Sequence, residues 1–184
     1  PVNTNDVIIE NSTNSIYYGL AQSGVTLASL TVKQDFLGTI GLPRDNANGY
    51  SEYRDTYLTI GATTLTIGSG EGLGSGRIKI DNSSVQTTIN VLDTGTSLEN
   101  GIRSFLWKGT HASNAVNVTK GSMGIAHFAG EVATVATLKE GYLDSIESDA
   151  DVYCGSGVTL GTVTKNGGRL TCDTTTAAIT AFTQ

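Results

Sequence analysis

The sequence predicts an all-β chain: a parallel β-helix (β-solenoid) over residues 56–184, with an irregular N-terminal β cap or arm over residues 1–55. Three observations predict it. Apolar and polar residues alternate within short runs of β-formers, the period of a strand with one buried face. These runs are very short and recur roughly every 8–12 residues, each stopped by Gly, Ser, Asn, Asp or Thr. The closing segment also repeats with an 18-residue offset, Val152-Tyr153-Cys154 matching Leu170-Thr171-Cys172. In a coil of this kind each turn stacks on the next, and inward Val, Ile and Leu form a continuous column.

Within residues 1–55, Asp6–Glu10, Ser15–Tyr18 and Leu27–Val32 read as strands of irregular spacing, followed by the turn-rich loop Gly41–Gly49. Tyr50, Tyr53 and Tyr57 then recur with Arg44 and Arg54 among them. With Tyr17 and Tyr18, these residues form a candidate interface, because Tyr and Arg are favoured interface anchors. Tyrosines covering the end of the core account for the same pattern. From Tyr57 onward the strand phrases are Tyr57–Ile60, Leu65–Ile67, Arg77–Ile80, Thr88–Val91, Phe105–Trp107, Ala115–Val118 and Gly124–His127. They continue through Thr134–Leu138, Gly141–Leu143, Asp151–Cys154, Val158–Leu160, Arg169–Cys172 and Ala178–Phe182. No window sustains a helical period; Val132–Glu140 comes nearest, but Thr134, Val135 and Thr137 favour strand.

Composition supports this reading. Gly is 23 of 184 residues against two Pro, which suits tight turns between strands whose ladders proline would interrupt. Charged residues are only 15%, against about 25% in ordinary domains. A net charge of −6 with scattered Lys and Arg argues against nucleic acid, which requires clustered basic residues. No apolar run approaches the ~20 residues that span a bilayer. No secretory signal is visible at Pro1–Asp6, and a start at Pro is what initiator-Met removal leaves. Cys154 and Cys172 would stack at the strand spacing, as two thiols or as a disulfide; two cysteines alone are too few for a metal site.

No catalytic, cofactor or metal set emerges from the motifs. The run Gly68–Gly76 lacks G-x-G-x-x-G phasing and leads into a strand instead of a helix, so it reads as a flexible turn. The acidic group Glu140, Asp144, Glu147, Asp149 and Asp151 matches no calcium loop and reads as a surface cluster. Trp107 reads as core packing in preference to a sugar platform. Val91-Leu92-Asp93-Thr94-Gly95-Thr96-Ser97-Leu98 resembles the Asp-Thr-Gly signature of pepsin-like and retroviral-type aspartic peptidases. That resemblance implies a dimer in which two copies of Asp93 share a proton. The competing reading is a turn in which Asp93 bonds its own backbone.

Phrases such as Thr64-Leu65-Thr66-Ile67-Gly68-Ser69-Gly70 and Gly155-Ser156-Gly157-Val158-Thr159-Leu160-Gly161-Thr162-Val163 resemble the β-solenoid proteins of tailed-phage particles, both capsid accessory proteins and fibre-like receptor binders. The resemblance implies a non-enzymatic virion protein without cofactor. It would be a capsid decoration or cement protein made in host cytoplasm, acting as a homo-oligomer, trimer favoured, against the major capsid protein or another virion protein. The alternative it implies is an extracellular or cell-surface adhesin that reads receptors or glycans.

Overall fold

The computed structural model describes residues 2–42, 56–95, 102–141, 150–173 and 179–184. These residues form an all-β structure with no helix, a single curled sheet in which every strand-to-strand ladder is parallel. A pair of antiparallel sheets joined by hairpins is thereby excluded. The strands are β1 (Asp6–Ile9), β2 (Ala21–Lys33), β3 (Leu58–Ser69), β4 (Ile78–Asp81), β5 (Thr88–Val91), β6 (Phe105–Lys108) and β7 (Ala115–Val118). They continue as β8 (Ser122–Ile125), β9 (Ala133–Glu140), β10 (Asp151–Cys154), β11 (Val158–Lys165), β12 (Arg169–Cys172) and β13 (Ile179–Thr183).

The long strand β3 organises the sheet. Its first residues, Leu58 and Thr59, pair with β4, and Thr64–Ile67 pair with β5. From β4 one flank runs β4-β6-β8-β10-β12; from β5 the other runs β5-β7-β9-β11-β13. On its remaining side β3 pairs with β2, which pairs with β1, so residues on both sides of position 55 share one ladder.

Side-chain alternation then does what a parallel ladder requires, placing like residues over like. One inward column reads Val7, Leu30, Leu65, Ile89, Val116, Leu138, Val163 and Phe182. On the other flank Ile80, Trp107, Ile125, Cys154 and Cys172 follow one another. Most of these side chains are sealed from solvent, although Phe182 at the end of the first column is exposed, and each Val, Leu or Ile so buried contributes about 1.5–3 kcal/mol. Trp107 is fully buried, and its indole N–H donates to Asn82 Oδ1 at 2.6 Å, which answers the one polar atom it takes inside. The 18-residue offset is real: Asp151 lies opposite Arg169 and Cys154 opposite Cys172. Elsewhere the offset differs, as in Asn90 and Asn117, whose side chains hydrogen-bond at 3.0 Å across 27 residues.

In the glycine run that begins at the end of β3, two positions are set by close approach. Gly68, at φ +79°, carries its Cα so near the next rung that a Cβ would lie 1.8 Å from Asp93 O. A Cβ on Gly72, at φ +150°, would lie 2.3 Å from Gln34 O.

Candidate functional site

Alternation predicts one buried face per strand, yet β4, β6 and β8 are buried on both. The reason is a cover. The segment after β8 folds back over the outer side of this flank and lays His127 and Phe128 against it. Gly124 makes room, since a Cβ there would sit 2.7 Å from Leu106 Cδ2 and 2.9 Å from His127 Nδ1. His127 meets Phe128 and Tyr153 edge-on, with ring centroids 5.0 and 4.8 Å apart.

Beneath that cover lie charges. Lys79, on β4, is 2% exposed. Its ammonium donates to Leu42 O at 2.7 Å and lies 5.3 Å from the Tyr57 ring centroid and 5.5 Å from that of Phe128. A buried ammonium needs such partners, because unpaired it would cost several kcal/mol. Lys108 of β6 carries its Nζ 4.4 Å from the same Tyr57 ring centroid. Its Nζ is 3.8 Å from both Asp81 Oδ2 and Glu131 Oε1. Glu131 Oε2 accepts from Tyr57 Oη at 3.2 Å and from the Phe128 N–H at 3.0 Å. Asp81 and Lys108 are register partners, so the parallel ladder itself sets this pair.

An open pocket of about 240 Å³ adjoins these groups, lined among others by Asp81, Ser83, Lys108, Thr110, Glu131 and Val132. It is smaller than the usual ~300–1,000 Å³ of small-molecule sites. Carboxylates, an ammonium and hydroxyls stand at its wall.

Farther along the same flank Asp151 of β10 is clasped from two sides. Arg169 reaches both of its oxygens, at 3.1 and 2.8 Å, and Arg103 reaches Oδ1 at 3.0 Å. Burial pushes the Asp151 carboxyl up, but the hydrogen bonds and charges of the two guanidiniums outweigh it and hold the group below its usual value. Glu140 has the opposite surroundings. Instead of joining a surface cluster, it is 0% exposed, because its position in β9 continues the inward column Ile67, Val91, Val118. Among the described residues neither carboxyl oxygen has a hydrogen-bond partner. Desolvation raises its pKa to about 7, against the opposing charge of Lys165.

Of the candidate interface residues, Tyr17 and Tyr18 are exposed, at 39% and 91%, whereas Tyr57 is buried at 4%. Arg44, Tyr50, Tyr53 and Arg54 lie outside the described residues, as do Asp144, Glu147 and Asp149. Asp93 Oδ1 accepts from the Thr94 N–H at 2.8 Å, and Oδ2 pairs with Lys120 at 3.0 Å. The Thr94 hydroxyl in turn accepts from the Ser122 N–H at 2.8 Å, tying this turn to the following rung. Sequence reasoning missed Lys79, Lys108 and Glu131, which meet only through register between distant turns.

No family model matches the chain, and no curated protein or solved structure matches it either. Among the described residues no helix is long and apolar enough to cross a membrane, and no three metal-ligating side chains converge.

Proposed function

We propose that this chain is a non-enzymatic structural module built as a parallel β-helix, serving as a decoration or cement protein on a virion shell. One observation carries the reading: parallel pairings link every strand from β1 to β13, with apolar columns stacked along them. Such a ladder ties up nearly all backbone polar groups and resists unfolding, properties suited to bracing a particle. The exposed Tyr18 beside Tyr17 on the N-terminal turns supports contacts there, to the major capsid protein or to further copies in a trimer. The ties on Asp93 from Thr94 and Lys120 favour a structural turn over a shared-proton dyad.

The test is co-sedimentation with purified capsids of the source virus, for the whole chain and for a chain lacking residues 1–30. Binding by the whole chain, raised heat resistance of the capsids and loss of both on truncation are expected. Absence of binding by the whole chain would overturn the reading.

A second reading, a glycan-binding adhesin, is favoured by the pocket beside Lys108 and Glu131. It expects glycan-array binding that Lys108→Ala abolishes while particle attachment is unaffected.

A further inference from the structure

The column Ile80, Trp107, Ile125 ends on two sulfurs, Cys154 of β10 and Cys172 of β12, directly opposed across a parallel ladder. The function proposed above makes no use of them. Ladder partners lie about 4.8 Å apart, within the ~4.4–6.8 Å between Cα atoms that a disulfide spans. Register partners on neighbouring strands also point to the same side, so both thiols face inward. Cys154 is fully buried and Cys172 half-buried, and both are free thiols in hydrogen-bond contact.

That contact differentiates them. The Cys154 thiol donates to the Cys172 sulfur, which with burial pushes Cys154 far up and lowers Cys172 to about 7. The Glu140 carboxyl lies close enough for its charge to raise Cys154, and for charge on Cys172 to raise Glu140 in turn. One thiol is thus accessible and readily ionised, while its neighbour is held protonated behind it. This is the arrangement of an attacking and a resolving cysteine.

We infer that Cys154 and Cys172 form a reversible redox staple, an intramolecular disulfide made by exchange with a small disulfide such as oxidised glutathione, which locks β12 onto β10. The Cys172 thiolate attacks one glutathione sulfur; the glutathione S–S bond breaks, and one glutathione leaves as thiolate. The Cys154 sulfur then attacks the Cys172 sulfur in the mixed disulfide, and its proton passes to the second departing glutathione thiolate. Two protein thiols are oxidised and one glutathione disulfide is reduced to two thiols. The consequence is local and mechanical. Strand β12 ends the sheet on its flank and pairs with β10 alone among the described strands. Its outer face is held by Arg169 on Asp151, and the staple would fix the inner face of the same two strands.

The experiment equilibrates the full chain with oxidised and reduced glutathione at set ratios, then measures intact mass, alkylation of each cysteine and thermal unfolding. Excess oxidised glutathione is expected to remove two hydrogens from the monomer, block alkylation of both residues and raise Tm by about 5–10 °C. Reduced glutathione should reverse all three changes, and Cys172→Ser or Cys154→Ala should abolish the Tm shift. The inference is overturned if both thiols remain alkylatable under excess oxidised glutathione, or if an unresolved glutathione adduct persists on Cys172. Disulfides linking two chains, or an internal disulfide that leaves Tm unchanged, would overturn it as well. These readouts concern the wild-type chain and do not depend on either variant folding.

Discussion

One inward column tells two stories along its length. In the early rungs it is Ile9, Val32, Ile67, Val91 and Val118; in the late rungs the same line of sight meets Glu140 and then Lys165. Lys165 turns its ammonium onto the carbonyls of Gly167 and Gly168, at 2.9 and 2.5 Å, and leaves the Glu140 carboxyl without a hydrogen bond among the described residues. Geometry that stacks methyl groups to advantage thus stacks a charge at a cost. Stability is therefore unevenly distributed along this line: it is apolar through β3 to β7, whereas from β9 onward it carries an internal defect within an otherwise apolar core.

The largest test of this contrast strikes the apolar part. Trp107→Ala would open a void and leave Asn82 Oδ1 without its indole donor; we expect a loss of about 3–5 kcal/mol in urea unfolding. The second acts on the defect. With Glu140 at about 7 when folded and about 4.3 when unfolded, the folded chain holds a proton that the unfolded chain releases. Stability should therefore be highest below about pH 4.5 from this group and fall by about 3 kcal/mol as pH rises to about 7. Glu140→Gln should flatten that slope, and Glu140→Leu should leave the protein more stable than wild type at pH 8. Unchanged pH profiles would show that the early and late rungs do not differ as described.

Gly68→Ala sharpens the contrast at backbone level. A Cβ 1.8 Å from Asp93 O cannot be accommodated without moving a rung, and about 1–3 kcal/mol of destabilisation is expected from denaturant midpoints. The smallest effect belongs to Arg169, which is largely exposed: Arg169→Ala should shift the neutral-pH urea midpoint only slightly. Because the Asp151 carboxyl is held low when folded, its contribution should be present at neutral pH and fade as acid protonates it. Urea midpoints measured down the acid range, compared between wild type and Arg169→Ala, check that fading.

Much of the fold was legible because stacking rewards alternation. Thr88–Val91, Asp151–Cys154 and Arg169–Cys172 are strands with the bounds their residues suggest. Tyr57–Ile60 and Leu65–Ile67 were legible as strands but not as one. Gly61 looks like punctuation between them, yet it lies inside β3, where a Cβ would come 2.8 Å from Thr26 Oγ1 and from Val85 Cγ2. Its absence of a side chain answers a tight approach and does not mark a turn. The polar group around Tyr57 was not legible at all. Lys79, Lys108 and Glu131 converge through register offsets that vary from turn to turn, 27 residues between Asp81 and Lys108 but 18 between Phe105 and Met123, and no local pattern encodes them. Glu140 escaped for a related reason, since an acidic residue among other acidic residues reads as surface until the ladder assigns its side.

Strand β3 touches three neighbours where most strands here touch two. It is the junction at which a single ribbon of chain becomes two diverging files. Damage there would uncouple the files from each other and from the leading turns, so a chain carrying it should come apart in pieces and not as a unit.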